Sequence, residues 1–343
     1  MTTTAQAPRG CADPPDVAYD VGLLDLDGVV YLGGSAIPGA AEALRKAAAA
    51  GMRLAYVTNN AFRTPAAIAG LLTSYGVSAT ADDVVTSAQA AARLVAERLP
   101  AGASVLVIGG TGLRLAVRQH GLRPVTTAAD RPLAVIQGYS PDISYPMLAE
   151  GGLAVAAGAL FVASNGDVTL PSRRGRKPGN GSLIRVIATA TGVQPLVAGK
   201  PEPPLHRESV LRTAAKRPLI VGDRLDTDIE AGSRVGADSM LVLTGVTNPA
   251  EAVLAAPSQR PTYLAEDLTG LLEPHPAVTS QDGVFGCGGW TARRDGDRLE
   301  LAGGGERIDG LRALCAAAWA ETGDPDARVS SEAAQDALQR LER

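Results

Sequence analysis

The sequence predicts an α/β protein with a doubly wound parallel-sheet core, an inserted α/β unit and a small α+β C-terminal extension. Three observations lead there. Apolar strand-like runs alternate with helical stretches from Val21 onward, the pattern of crossovers onto a parallel sheet. Pro100-Ala101-Gly102 interrupts that alternation, and a second alternating set follows before the first resumes near Leu196. After Pro274-His275-Pro276 the pattern changes to short strands followed by helices.

The elements follow in order. Residues 1–18 are polar and proline-containing, without the basic-then-apolar run of a secretion signal, and are expected to be a disordered leader. The core, residues 19–99 and 196–275, opens with a strand at Val21–Leu26. Asp27–Ile37, with Gly33-Gly34 at its centre, reads as a hairpin flap over the sheet edge. A helix over Pro38–Ala50 has proline in its first turn and Gly51 beyond its end. Arg53–Thr58 is a second strand, Thr64-Pro65 opens a helix that stops at Gly76, and Thr86-Ser87 opens another that runs to Leu99.

The inserted unit, residues 100–195, contains strands at Ser104–Ile108, Leu133–Ile136 and Leu160–Ala163. Its helices are Leu113–His120, Tyr145–Ala157 and Ser182–Thr191. The core then resumes with strand Leu196–Ala198, helix Pro204–Ala215, strand Pro218–Val221, helix Asp226–Val235 and strand Ser239–Leu243. In the extension, residues 277–343, Gly283–Trp290 and Arg298–Leu301 read as strands. Asp309–Ala320 and Glu332–Leu341 read as helices, and a piece this small is near the lower limit for independent stability.

Composition narrows the function. The 343 residues suffice for two or three cores, and 45% hydrophobic with 20% charged content is that of an ordinary globular protein. A net charge of −4 has the wrong sign for gripping nucleic acid by its phosphates. No apolar run approaches the roughly 20 residues of a membrane span. Cys11, Cys287 and Cys315 are scattered, form no CxxC pair, and fit a reducing cytoplasm better than a disulfide or zinc framework. His120, His206 and His275 are equally dispersed.

Four segments carry chemistry, each at the predicted carboxyl end of a strand, where open parallel sheets place their ligand sites. In Asp25-Leu26-Asp27-Gly28, the two acidic side chains share a face. They would repel each other without a cation or proton, which suggests a Mg2+ site with one carboxylate attacking phosphorus and the other moving a proton. A surface turn reads equally well from this segment alone. Thr58-Asn59-Asn60 offers neutral donors for phosphate oxygens, or an Asx turn capping the next helix. Gly199-Lys200-Pro201 presents either a fixed positive charge or a solvated loop lysine. Gly222-Asp223-Arg224-Leu225-Asp226-Thr227-Asp228 supplies Asp223 as metal ligand, Asp226 as helix N-cap, and Asp228 as support for a lysine, a metal water or the helix N-terminus.

Taken in this order, the four segments resemble the haloacid dehalogenase-type phosphatases, in particular the group with a large α/β cap inserted between the second and third motifs. The resemblance runs from about Tyr19 to Leu272 and omits the extension; Gly166-Asp167, Leu170-Pro171 and Pro178-Gly179-Asn180-Gly181-Ser182 also look like cap sequences of that group. It implies a Rossmann-like core and an aspartyl phosphate formed on Asp25, with Asp27 as acid and base. It implies Thr58, Asn59 and Asn60 around the transferring group, and Lys200 neutralising charge. It further implies Mg2+ held by Asp25, the Asp27 carbonyl and Asp223, with Asp228 in support. A homodimer through the cap is a further expectation.

The group includes p-nitrophenyl phosphate, phosphoglycolate, pyridoxal phosphate and nucleotide monophosphate phosphatases. The segment Leu170–Lys177 carries four basic residues that suit an anionic small-molecule phosphate monoester, or form a solvated loop. Aromatic residues between Ser104 and Leu196 are limited to Tyr139, Tyr145 and Phe161, a poor stacking platform for a pyridoxal or nucleobase ring. Glycerol 3-phosphate, then 2-phosphoglycolate, is therefore expected ahead of pyridoxal phosphate or a nucleotide. For the extension, Gly303-Gly304-Gly305 between a strand and a helix allows an acyltransferase-like reading, alongside that of a partner-binding module.

Overall fold

The computed structural model describes residues 7–170, 172, 174–320 and 329–341. Met1 to Gln6 of the leader, and Pro171 and Arg173 of the basic segment, lie outside the described residues. The chain divides into two compact units, Met1–Leu54 with Ala215–Arg343, and Ala55–Ala214. Among the described residues no helix is long and apolar enough to cross a membrane.

In the first unit, Val21–Leu24 pairs in parallel with Pro218–Gly222, setting Leu24 against Val221. Asp238–Val242 and Tyr263–Ala265 extend the same parallel sheet. These strands are buried almost throughout, which is why they read as continuous apolar runs rather than alternating ones. The helix Ala40–Ala49 buries Ala40, Ala43, Leu44 and Ala47, the stripe expected of a half-buried helix. Tyr31–Leu32 and Ser35–Ala36 form the expected hairpin, closed by Gly33 and Gly34 at φ +59° and +92°.

Three expectations change in this unit. From residue 7 the leader is ordered: Arg9 N–H donates to the Thr262 carbonyl, Cys11 exchanges main-chain hydrogen bonds with His275, and Pro15–Ala18 is a helical turn. Edge pairing satisfies a backbone that composition alone assigns to solvent. The stretch 283–290 is two strands, Val284–Cys287 and Trp290–Asp295, because Gly288 reverses the chain at φ +55°. With Thr279–Gln281 and Arg298–Gly303 they form a four-stranded antiparallel sheet. Asp226 caps no helix. Its carboxylate pairs with Arg224 at 2.9 Å inside a π-helical turn, Leu225–Ile229, that precedes helix Glu230–Val235.

Among its described residues, the extension shares its core with the parallel-sheet layer. Trp290, Leu301, Leu311, Leu314 and Trp319 pack into one cluster with Ile229, Leu241, Val253 and Leu264 of the parallel-sheet layer. Its glycine triplet is spent on self-packing. Gly304 N–H donates to the Gly289 carbonyl, and the Trp290 indole donates to the Glu306 carbonyl at 3.0 Å. A Cβ on Gly303 or Gly289 would collide with the opposing backbone.

In the second unit, five parallel strands lie in the order Leu196–Val197, Leu160–Ala163, Ala134–Gln137, Ser104–Ile108, Arg123–Val125. Leu196–Val197, expected to resume the core, instead forms an edge of this sheet. The strand at Arg53–Thr58 enters the unit and pairs in parallel with Val84–Thr86. Thr86 then caps helix Ser87–Ala96 through a reciprocal bond with Gln89. Glu208, fully buried on helix Pro203–Thr213, pairs with Arg93 of helix Ser87–Ala96 and with Arg212 of its own helix, the latter at 2.6 Å.

Candidate active site

The first unit gathers three acidic residues. Asp25 N–H donates to the Val221 carbonyl, so the ladder that joins the strands carries Asp25 to the same sheet edge as Asp223. One carboxylate oxygen from each of Asp25, Asp223 and Asp228 lies within 4.8 Å of the others, and Asp223 and Asp228 are buried. The π-helical turn accounts for Asp228: it sends Asp226 outward and aims Asp228 back, where its Oδ2 accepts from the Arg224 N–H and the Thr227 hydroxyl. Asp223 Oδ2 accepts the Val246 N–H at 2.7 Å.

Glycines make this close approach feasible. A Cβ on Gly28, which sits at φ +89°, or on Gly245 would strike the Asp223 carboxylate, and one on Gly222 would strike Asp228. Gly28 is held in place by its N–H to the Tyr31 carbonyl and by the Thr244 hydroxyl donating to its own carbonyl at 2.5 Å. Asp27 remains exposed, while desolvation over the sheet edge raises its carboxyl above the ordinary range, the direction that suits a proton donor.

Three carboxylates at this spacing, two of them buried, are mutually repulsive unless a cation lies among them. The all-oxygen donor set matches a hard divalent ion, and Mg2+ needs only one or two such ligands besides water. The residues present fit it.

The second unit gathers the other predicted groups. Lys200 is buried, not solvated, and its Nζ donates to the Val57 carbonyl at 3.1 Å. Thr58 is buried at its strand end, and its hydroxyl oxygen accepts the Asn60 N–H. Asn60 is exposed, and its Oδ1 accepts the N–H groups of Phe62 and Arg63 at 2.9 Å, the Asx turn that the sequence left open. The Asn59 side chain is bonded to Lys200 and Asp167. Asn165, which the sequence reading passed over, donates to the Asn59 carbonyl at 2.7 Å. Its one visible signal is its place directly after strand Leu160–Ala163 and Ser164, beside Gly166-Asp167.

A haloacid dehalogenase-like hydrolase model matches residues 22–123, and a second model of that type matches 197–271. A GCN5-related N-acetyltransferase-like domain model matches residues 287–342. The D-glycerol 3-phosphate phosphatase of Mycobacterium tuberculosis is 44% identical over 333 residues, 94% of either chain. A 5′-nucleotidase of Bacillus subtilis is 39% identical over 249 residues, 72% of this chain and 95% of the relative. The crystal structure of the glycerol phosphate phosphatase of Mycobacterium tuberculosis in complex with magnesium superposes with a TM-score of 0.86 at 42% identity. That match covers 96% of this chain and 99% of the other. Identity of this order, sustained along nearly the whole length of both chains, makes this chain a member of the haloacid dehalogenase-like hydrolases.

Proposed function

We propose that this chain is a Mg2+-dependent phosphatase that hydrolyses D-glycerol 3-phosphate. The observation that carries the reading is the full-length likeness to a D-glycerol 3-phosphate phosphatase, 44% identical over 94% of each chain. Support comes from the Asp25, Asp223 and Asp228 cluster, whose donor chemistry matches the magnesium named for the similar crystal structure.

The residues divide the work as follows. Asp25 attacks phosphorus as the P–O bond to the leaving alkoxide breaks, giving an aspartyl phosphate. Asp27, with its raised pKa, protonates that alkoxide and then takes the proton of the water that releases phosphate. Thr58 and Lys200 bind the transferring group, and the lysine offsets its negative charge. Asp25, the Asp27 carbonyl and Asp223, with Asp228 behind them, hold Mg2+, which when bound screens the repulsion between carboxylate and phosphate.

The test is phosphate release from D-glycerol 3-phosphate, 2-phosphoglycolate, pyridoxal phosphate and nucleoside monophosphates, with Mg2+ and with a chelator. Fastest turnover of D-glycerol 3-phosphate, lost on chelation and in Asp25→Asn, is the expected result. Undiminished turnover by Asp25→Asn would overturn the mechanism, and a nucleotide preferred by orders of magnitude would overturn the substrate. The 5′-nucleotidase relative is what keeps the nucleotide as the second reading.

The reaction belongs in a reducing cytoplasm, in keeping with three cysteines that form no disulfide. A homodimer is the proposed assembly, to be read by sedimentation. No acyl-transfer step is assigned to the extension, because the glycine triplet that would cradle a pyrophosphate packs against Gly289 and Trp290.

A further inference from the structure

We propose that Asn59 is a positioning residue for Lys200 and not a phosphate ligand, and that through Asp167 it ties the turn carrying Lys200 to the segment Ser164–Asp167. What Lys200 does rests on the phosphatase reading above; what Asn59 does rests on geometry.

A carboxamide has one acceptor oxygen and two N–H donors. Asn59 Oδ1 accepts the Lys200 main-chain N–H at 2.8 Å. Its Nδ2 donates to the Lys200 carbonyl and to Asp167 Oδ2, both at 3.2 Å. Both N–H groups are therefore committed, and a phosphoryl oxygen, which needs a donor, finds none on this side chain.

The amide grips a single residue from both sides of its backbone. Together with the Nζ bond to the Val57 carbonyl, this anchors Lys200 on Val57–Asn59 at three atoms. Asn59 is itself fixed. Its carbonyl accepts from Asn165 Nδ2 and from the Ser87 hydroxyl, both at 2.7 Å. Gly199 leaves room for the arrangement, since a Cβ there would sit 2.5 Å from Asn59 Oδ1 and 2.9 Å from the Asn165 Cβ.

The role has chemical consequences. A misplacement of about 1 Å in a reacting constellation can lower the rate about 100-fold. Asn59→Asp keeps the shape but turns both donors into acceptors facing the Lys200 carbonyl and the Asp167 carboxylate, so it is expected to be worse than Asn59→Ala.

Two measurements test the proposal. The first is a double-mutant cycle on kcat/KM with Asn59→Ala and Lys200→Ala. Asn59→Ala alone should lower kcat about 10- to 100-fold, yet add less than about twofold once Lys200 is already alanine. Multiplying losses would mean an independent substrate contact and would overturn the proposal. The second is hydrogen exchange followed by mass spectrometry on the full chain. The peptide spanning Gly199 and Lys200 should exchange faster in Asn59→Ala and in Asn59→Ser, with peptides other than those holding residue 59 and Ser164–Asp167 unchanged. Unaltered exchange at Lys200 would also overturn it. Because exchange needs no substrate, it decides the role of Asn59 even if the wild-type chain hydrolyses no phosphate monoester.

Discussion

Arg312, on the helix Arg307–Trp319, donates a 2.6 Å hydrogen bond from Nη2 to the main-chain oxygen of Leu264 on a parallel-sheet strand. Its other terminal nitrogen donates to Asp309, also at 2.6 Å, and both side chains are buried. Removing one partner of a buried ion pair strands the other charge, at about 3–5 kcal/mol. Arg312→Met is therefore expected to lower the urea midpoint followed by circular dichroism. Deletion of residues 277–343 should do more, since it uncovers Leu241, Val253 and Leu264. A truncated chain with an unchanged midpoint would show that the extension is dispensable to the fold.

The same cluster makes stability depend on pH. Buried His275 presents Nε2 to the Gly270 carbonyl at 2.7 Å and Nδ1 to Arg312 at 3.0 Å, which fixes the neutral tautomer with its proton on Nε2. Burial, then the Arg312 charge, lowers its pKa below the usual 6.5. As pH falls through 6.5 the unfolded chain takes up this proton first, so stability declines from there down toward the folded-state pKa. Melting temperatures between pH 8 and 5.5 should fall in the wild type, with a shallower slope in His275→Gln.

Glu208 responds at lower pH. Burial is the largest single influence and pushes its carboxyl up, but Arg93 and Arg212 together outweigh it and hold the pKa below 4.5. The stability it contributes is complete above the unfolded value and disappears as pH falls through the folded one. Glu208→Gln should cost about 2–3 kcal/mol at pH 7, discounted from a fully buried pair because Arg93 is 37% exposed. Parallel denaturation curves at pH 7 and pH 4 should show the gap from wild type narrowing with acid.

Gly28→Ala targets the carboxylate cluster. At φ +89° an added Cβ meets the Asp223 carboxylate, so the side chain must shift. The Mg2+ concentration for half-maximal phosphate release should rise about 10- to 100-fold, as for other changes to the groups that support a metal ligand. An unchanged Mg2+ requirement would remove Asp223 from the ligand set.

The acidic residues at the strand ends were legible because an apolar run followed by carboxylate and glycine has a local signature; Asp25, Asp223 and Asp228 duly meet. The long repeating strands and helices were legible for the same reason. Three-residue strands such as Val84–Thr86, Arg123–Val125 and Tyr263–Ala265 are too short to show a period, and they went unread. The partnership of Asn59 with Asp167 and Lys200 spans 108 and 141 positions, and nothing local announces it. Nor does composition reveal that the extension shares its core with the parallel sheet, since apolar residues look alike whichever neighbour they bury against.

That shared core also decides what an optical experiment can see. The chain has two tryptophans, Trp290 and Trp319, and both sit in this one cluster. Intrinsic indole fluorescence therefore monitors the junction between extension and sheet and is silent about Ala55–Ala214. An emission shift that precedes the loss of helical signal would mark the extension peeling away first.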